Sequence, residues 1–183
     1  MVRSYIIEGI DFLGKSTLIK GLRNKLGYFE VIHYQKPELL DFYDSENKSD
    51  RLRNYQRDSF NGMFNLLKSN ANIIFDRGHL GESVYSPIYR NYGGDYVFDL
   101  ELAHGVHLLD HVKLILLVED FSVSRHFVDD GESFDITKRQ QEQELFIKAF
   151  NRSRITNKKM INVTNATTGF FMPKEWILEQ AVR

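Results

Sequence analysis

Gly9, Gly14, Lys15 and Ser16 stand in the spacing G-x-x-x-x-G-K-S, followed by Thr17, and this stretch (9–17, GIDFLGKST) constrains the fold more than any other part of the chain. Glycines let a backbone curl until successive N–H groups point inward, and a helix that follows adds its positive end, so the pattern cradles phosphate oxygens. Such a loop needs a strand before it and a helix after it. Tyr5, Ile6 and Ile7 supply a β-branched and aromatic run ending at Glu8-Gly9, and Leu18, Ile19, Leu22 and Leu26 recur at helical spacing until Gly27. The expected cradle is Gly9, Gly14, Lys15, Ser16 and Thr17. In it Lys15 reaches the β- and γ-phosphates of a nucleoside triphosphate, and the Ser16 hydroxyl joins a magnesium shell.

The alternation continues along the chain. Residues 29–34 read as a second strand halted by Pro37, and 38–50 as a polar surface segment. Phe60, Met63, Phe64 and Leu67 form one stripe on a helix predicted over 51–69. Residues 72–75 predict a third strand ending at Asp76-Arg77-Gly78, and 80–91 and 96–109 two helices parted by Gly93-Gly94. A fourth strand over 112–118, a helix over 137–154, a fifth strand over 159–163 and a last helix opened by Pro173 complete the series. Five strands alternating with helices predict an α/β fold of the P-loop NTPase kind. Its three layers are a five-stranded parallel sheet and helices on both faces, in a single domain over 1–183.

Ligands in such sheets bind at the carboxyl ends of the strands, where both the glycine loop and Asp76-Arg77 fall. A carboxylate there can orient magnesium-bound water, and a guanidinium can clamp a phosphate bidentately. Lysine and arginine number 24 against 25 acidic residues, a net charge of −1, which disfavours DNA as a partner relative to a small nucleotide. The chain has no cysteine, which excludes disulfides, thiolate catalysis and cysteine zinc sites. No apolar run approaches membrane-spanning length, and a soluble, cytoplasmic protein is expected. His104, His107 and His111 read as packing histidines rather than a metal site.

Three stretches resemble the thymidylate kinase family of nucleoside monophosphate kinases, particularly its viral-type members: 7–17 (IEGIDFLGKST), 75–85 (FDRGHLGESVY), and the run from Arg125 through Asp129-Asp130-Gly131 into 142–150. The resemblance implies an ATP- and magnesium-dependent transfer to a deoxynucleoside monophosphate, a pyrimidine such as dTMP, by a homodimer with a mobile lid over about 121–140. It places Asp11 near the transferred group with Lys15 stabilising its charge, Asp76 at magnesium or the acceptor phosphate, and Arg77 on that phosphate. The helix over 51–69 walls the acceptor site with Arg53, Arg57 and Phe60, and Tyr85 is a candidate for a sugar or base contact. The phosphate loop carries no arginine at positions 12 and 13, so Arg125 is the expected lid arginine, with Lys138 and Arg139 behind it. Two other readings stay open: transfer to a hydroxyl of a deoxynucleoside or of a hydroxymethylated base in DNA, and an ATP-binding module without transfer.

Overall fold

In the computed structural model, which describes residues 2–34, 48–124 and 135–183, the sheet is built from the most apolar runs of the chain. β1 (Ser4–Glu8) and β4 (Val112–Val118) are buried at every position, as central parallel strands must be. β3 (Ile73–Asp76) is equally buried, while β2 (Glu30–His33) and β5 (Lys158–Asn162) carry the polar positions of edge strands. All five pair in parallel in the order β2-β3-β1-β4-β5.

The helices are α1 (Lys15–Leu26), α2 (Lys48–Lys68), α3 (His79–Tyr85), α4 (Tyr96–Ala103), α5 (Arg139–Arg152) and α6 (Lys174–Val182). The chain steps one way from β1 to β2 and the other way afterwards. Right-handed crossovers therefore put α1 on one face of the sheet and α2 to α5 on the other. The packing agrees: α1 lies against α6, whereas α3 lies against both α4 and α5. The reversal occurs at β1, which leaves a crevice at its carboxyl end between β3 and β4.

Two predicted helices change character. The helix expected over 80–91 leaves α geometry at Ser86 and continues as a π turn (Ser86–Arg90), where Pro87 has no N–H to donate. The helix expected over 96–109 stops at Ala103, because Gly105 turns left-handed (φ 65°) and Val106–Leu108 forms a separate 3-10 turn. Gly94 marks a close approach: a Cβ there would lie 2.2 Å from the Glu82 carbonyl oxygen. α2 starts at Lys48, inside the segment read as surface, and Pro37 lies outside the described residues. Of the expected lid, residues 125–134, including Arg125 and Asp129-Asp130-Gly131, lie outside the described residues. No described helix is long and apolar enough to cross a membrane.

Candidate active site

The turn from β1 into α1 is set by backbone demands. Gly9 has φ 136°, and a Cβ there would sit 2.6 Å from the Leu117 carbonyl oxygen of β4. Gly14 caps α1 at φ 79°, and Phe12 takes φ 67°, a left-handed conformation costing a non-glycine residue about 1 kcal/mol. The buried Lys15 bends back over this loop: Nζ donates to the carbonyls of Gly9 (2.9 Å) and Ile10 (2.7 Å) and lies 3.7 Å from Asp11 Oδ1. Burial, then the positive charge of Arg77, lower its pKa to about 8, against the pull of Asp11, Asp76 and Glu8. Ser16 and Thr17, both exposed, open a groove of about 950 Å³ that runs along α1 to Phe171 and Met172, a volume in the range of small-molecule sites.

Arg77 faces the loop from β3. Its φ of 68° swings the side chain back across the crevice, and Nη2 meets Asp11 Oδ1 at 2.5 Å. Asp76, one residue earlier, is buried; Oδ2 is bonded to His33 Nδ1 at 2.8 Å, while Oδ1 is buried without a partner among the described residues. That orphaned oxygen and the exposed Ser16 hydroxyl are hard oxygen donors. They suit a magnesium ion that takes the rest of its shell from phosphate and water.

Two further carboxylates brace the site. Glu8 is fully buried at the end of β1; Oε1 accepts the Leu80 N–H at 2.9 Å at the start of α3, and Oε2 has no partner among the described residues. Burial raises its pKa, opposed by His79 and by backbone N–H groups of Leu80, Gly81 and Gly78. Glu119, just past β4, is paired with the buried Arg139 of α5, whose Nη1 donates to the Asp11 carbonyl at 2.9 Å and whose guanidinium lies 6.0 Å from the centre of the Phe12 ring. Gln143 then holds both the N–H and the carbonyl of Glu119, at 2.7 and 2.8 Å.

The crevice continues away from the loop as a narrow cleft whose walls include Gln56 and Phe60 of α2, Glu82 and Tyr85 of α3, and Arg90 of the π turn. Phe60 stacks on Tyr34 (5.5 Å, 19°). Tyr85 packs edge-on against Phe146 at 5.5 Å, and burial, then the charge of Asp11, pushes its hydroxyl well above the usual tyrosine range.

No protein-family model and no curated protein matches the sequence. The fold is shared with solved structures, among them the following two. The YorR protein of Bacillus subtilis, in complex with phosphorylated GDP, matches with a TM-score of 0.63 at 17% identity, over 98% of this chain and 93% of that one. Thymidylate kinase from Candida albicans matches with a TM-score of 0.60 at 16% identity, over 98% and 88%. The fold is that of the thymidylate kinase-like P-loop nucleotide kinases.

Within this kinase fold the sequence-predicted residues divide into three groups. Gly9, Asp11, Lys15, Asp76 and Arg77 converge at the end of β1, with Phe60 and Tyr85 along the cleft beyond them. Arg53 and Arg57 lie instead over the ring of Tyr96, at 5.6 and 5.2 Å. Arg125 lies outside the described residues. His104 is bonded to Asn61 and His111 to the Leu67 carbonyl, in keeping with packing roles.

Sequence reasoning missed Glu8, His33, Gln56, Glu82 and Arg90 as site residues. A charged residue closing a buried strand was the available signal for Glu8. Gln56, which precedes Phe60 by one helical turn, was readable from the spacing that singled out Phe60.

Proposed function

We propose that this chain is an ATP- and magnesium-dependent kinase that transfers the γ-phosphoryl group to a deoxynucleoside monophosphate, a pyrimidine such as dTMP. The observation that carries this is Arg77 facing Asp11 at 2.5 Å beside Lys15: two cations aimed at one crevice end, where donor and acceptor phosphates would meet. A bare hydroxyl acceptor would give Arg77 nothing to clamp. A thymidylate kinase among the proteins that share the fold is in keeping with the acceptor class.

In the reaction, an acceptor phosphate oxygen bonds to the γ-phosphorus as the bond to the β–γ bridging oxygen breaks, and ADP leaves with that electron pair. Lys15 exchanges its two carbonyl partners for β- and γ-phosphate oxygens, and Arg77 exchanges Asp11 for the acceptor phosphate. Magnesium, held by Ser16 and Asp76, would neutralise charge on the donor phosphates. Arg139 fixes the Asp11 carbonyl, so the loop keeps its shape while these partners change.

The test is transfer of labelled γ-phosphate from ATP to a panel of deoxynucleoside monophosphates and deoxynucleosides. Labelled diphosphates are expected, and no transfer to any monophosphate would sink the proposal. One observation favours the hydroxyl acceptor: Glu8, with its raised pKa and unpartnered Oε2, is suited to take a proton from a hydroxyl. Label appearing in nucleosides alone would make that the function.

A further inference from the structure

We infer that the far end of the cleft reads the base of the acceptor, and that Gln56 and Arg90 together select pyrimidines, uracil-type and cytosine-type alike, against purines. This rests on the monophosphate-acceptor reading above and goes further by naming the residues that set the base class.

Gln56 is only 6% exposed, yet its amide makes no hydrogen bond to the described residues, and its side chain lines the cleft. The amide atoms stay open to the cleft, so whatever enters there has to match an amide donor and an amide acceptor. Phe60 lies one turn further along the same face of α2, so an aromatic ring and an idle amide enter the cleft side by side.

Arg90 supplies the second element. The π turn delivers it into the cleft, where Nη1 is held at 2.5 Å by Glu82 Oε2, while Tyr96 Oη donates to Glu82 Oε1 at 2.9 Å. Each carboxylate oxygen thereby holds one donor, in a wholly buried side chain. Arg90 brings its remaining N–H groups to the cleft as donors. Gln56 adds one donor and one acceptor. No hydrogen bond among the described residues fixes which way its amide faces, so it can turn over.

With Arg90 donating to the O2 carbonyl of a pyrimidine, the two orientations of the amide complement two base edges. One orientation accepts from the ring N3–H and donates to O4 of thymine or uracil. The other donates to N3 and accepts from the N4 amine of cytosine. Adenine has no carbonyl oxygen for Arg90, and guanine sets its N2 amine against the amide donor.

Equilibrium binding of dTMP, dUMP, dCMP, dAMP and dGMP, measured by calorimetry, tests this independently of turnover. The three pyrimidines are expected to bind within about 10-fold of one another, and both purines at least about 10-fold more weakly. Gln56→Leu should weaken all three pyrimidines by about 10- to 100-fold and leave ATP affinity unchanged. The isosteric Gln56→Glu, which loses the amide donor and keeps the packing if the leucine variant fails to fold, should also weaken them at least about 10-fold. Purines binding as tightly as pyrimidines, a gap between dTMP and dCMP above about 100-fold, or pyrimidine affinity unchanged in a folded Gln56 variant would each overturn the inference. Selective, Gln56-dependent binding without phosphoryl transfer would uphold it and sink the kinase proposal. Transfer without base selection would do the reverse.

Discussion

The two ends of the crevice are built on opposite terms. At the phosphate end, charges within the protein engage one another: Lys15 holds two carbonyls, Arg77 holds Asp11, and Arg139 holds Glu119. At the far end, Glu82 and Arg90 are closed on each other, while the amide of Gln56 meets no partner among the described residues. On the function proposed above, an anion would enter the first end by replacing a partner already in place, and a base would enter the second by completing an unfinished set. The first arrangement keeps concentrated charge compatible with a folded chain, and the second would keep selectivity in one rotatable group.

Lys15→Ala tests the exchange most severely. It should cut turnover about 1,000-fold while circular dichroism and melting temperature change little, and a collapse of the fold instead would mean that Lys15 serves mainly its two carbonyls. Arg77→Ala should lower kcat/KM for the acceptor by about 100-fold with KM for ATP nearly unchanged, because it removes the clamp and frees Asp11. The pH dependence of ATP binding is a third probe. Lys15 has its pKa lowered to about 8, and only its protonated form grips phosphate. Affinity should therefore hold below about pH 8 and fall by up to about 10-fold per unit above it, read by titration calorimetry, with proton uptake on binding near and above that point. The smallest effect belongs to Glu8→Gln, which can still accept the Leu80 N–H. It should reduce transfer to monophosphates less than about 10-fold, whereas a loss above about 100-fold would point to Glu8 as the base of a hydroxyl kinase.

Contiguity decides what could be read ahead of the structure. The loop from Gly9 to Thr17 carries strand, turn chemistry and helix start in one run of sequence, so the fold and the crevice end where Lys15 and Asp11 lie were both legible. His33 and Asp76 are 43 residues apart and meet only because β2 pairs with β3 in the register His33↔Asp76, which no local pattern encodes. Arg139 and Asp11 are separated by 128 residues and meet because α5 packs against β4 behind the loop. The breaks at Ser86 and Gly105 escaped because apolar spacing runs through both, while a missing proline N–H and a left-handed glycine ended the regular helices.

The left-handed backbone at Arg77 has an evolutionary corollary. Glycine or asparagine would occupy φ 68° more cheaply, by about 1 kcal/mol, so the guanidinium stands there at a backbone cost that its pairing with Asp11 offsets in part. On the kinase reading proposed above, selection of random variants for thermal persistence alone should drift toward glycine at residue 77 and yield inactive descendants, and only continued demand for turnover would hold the arginine in place.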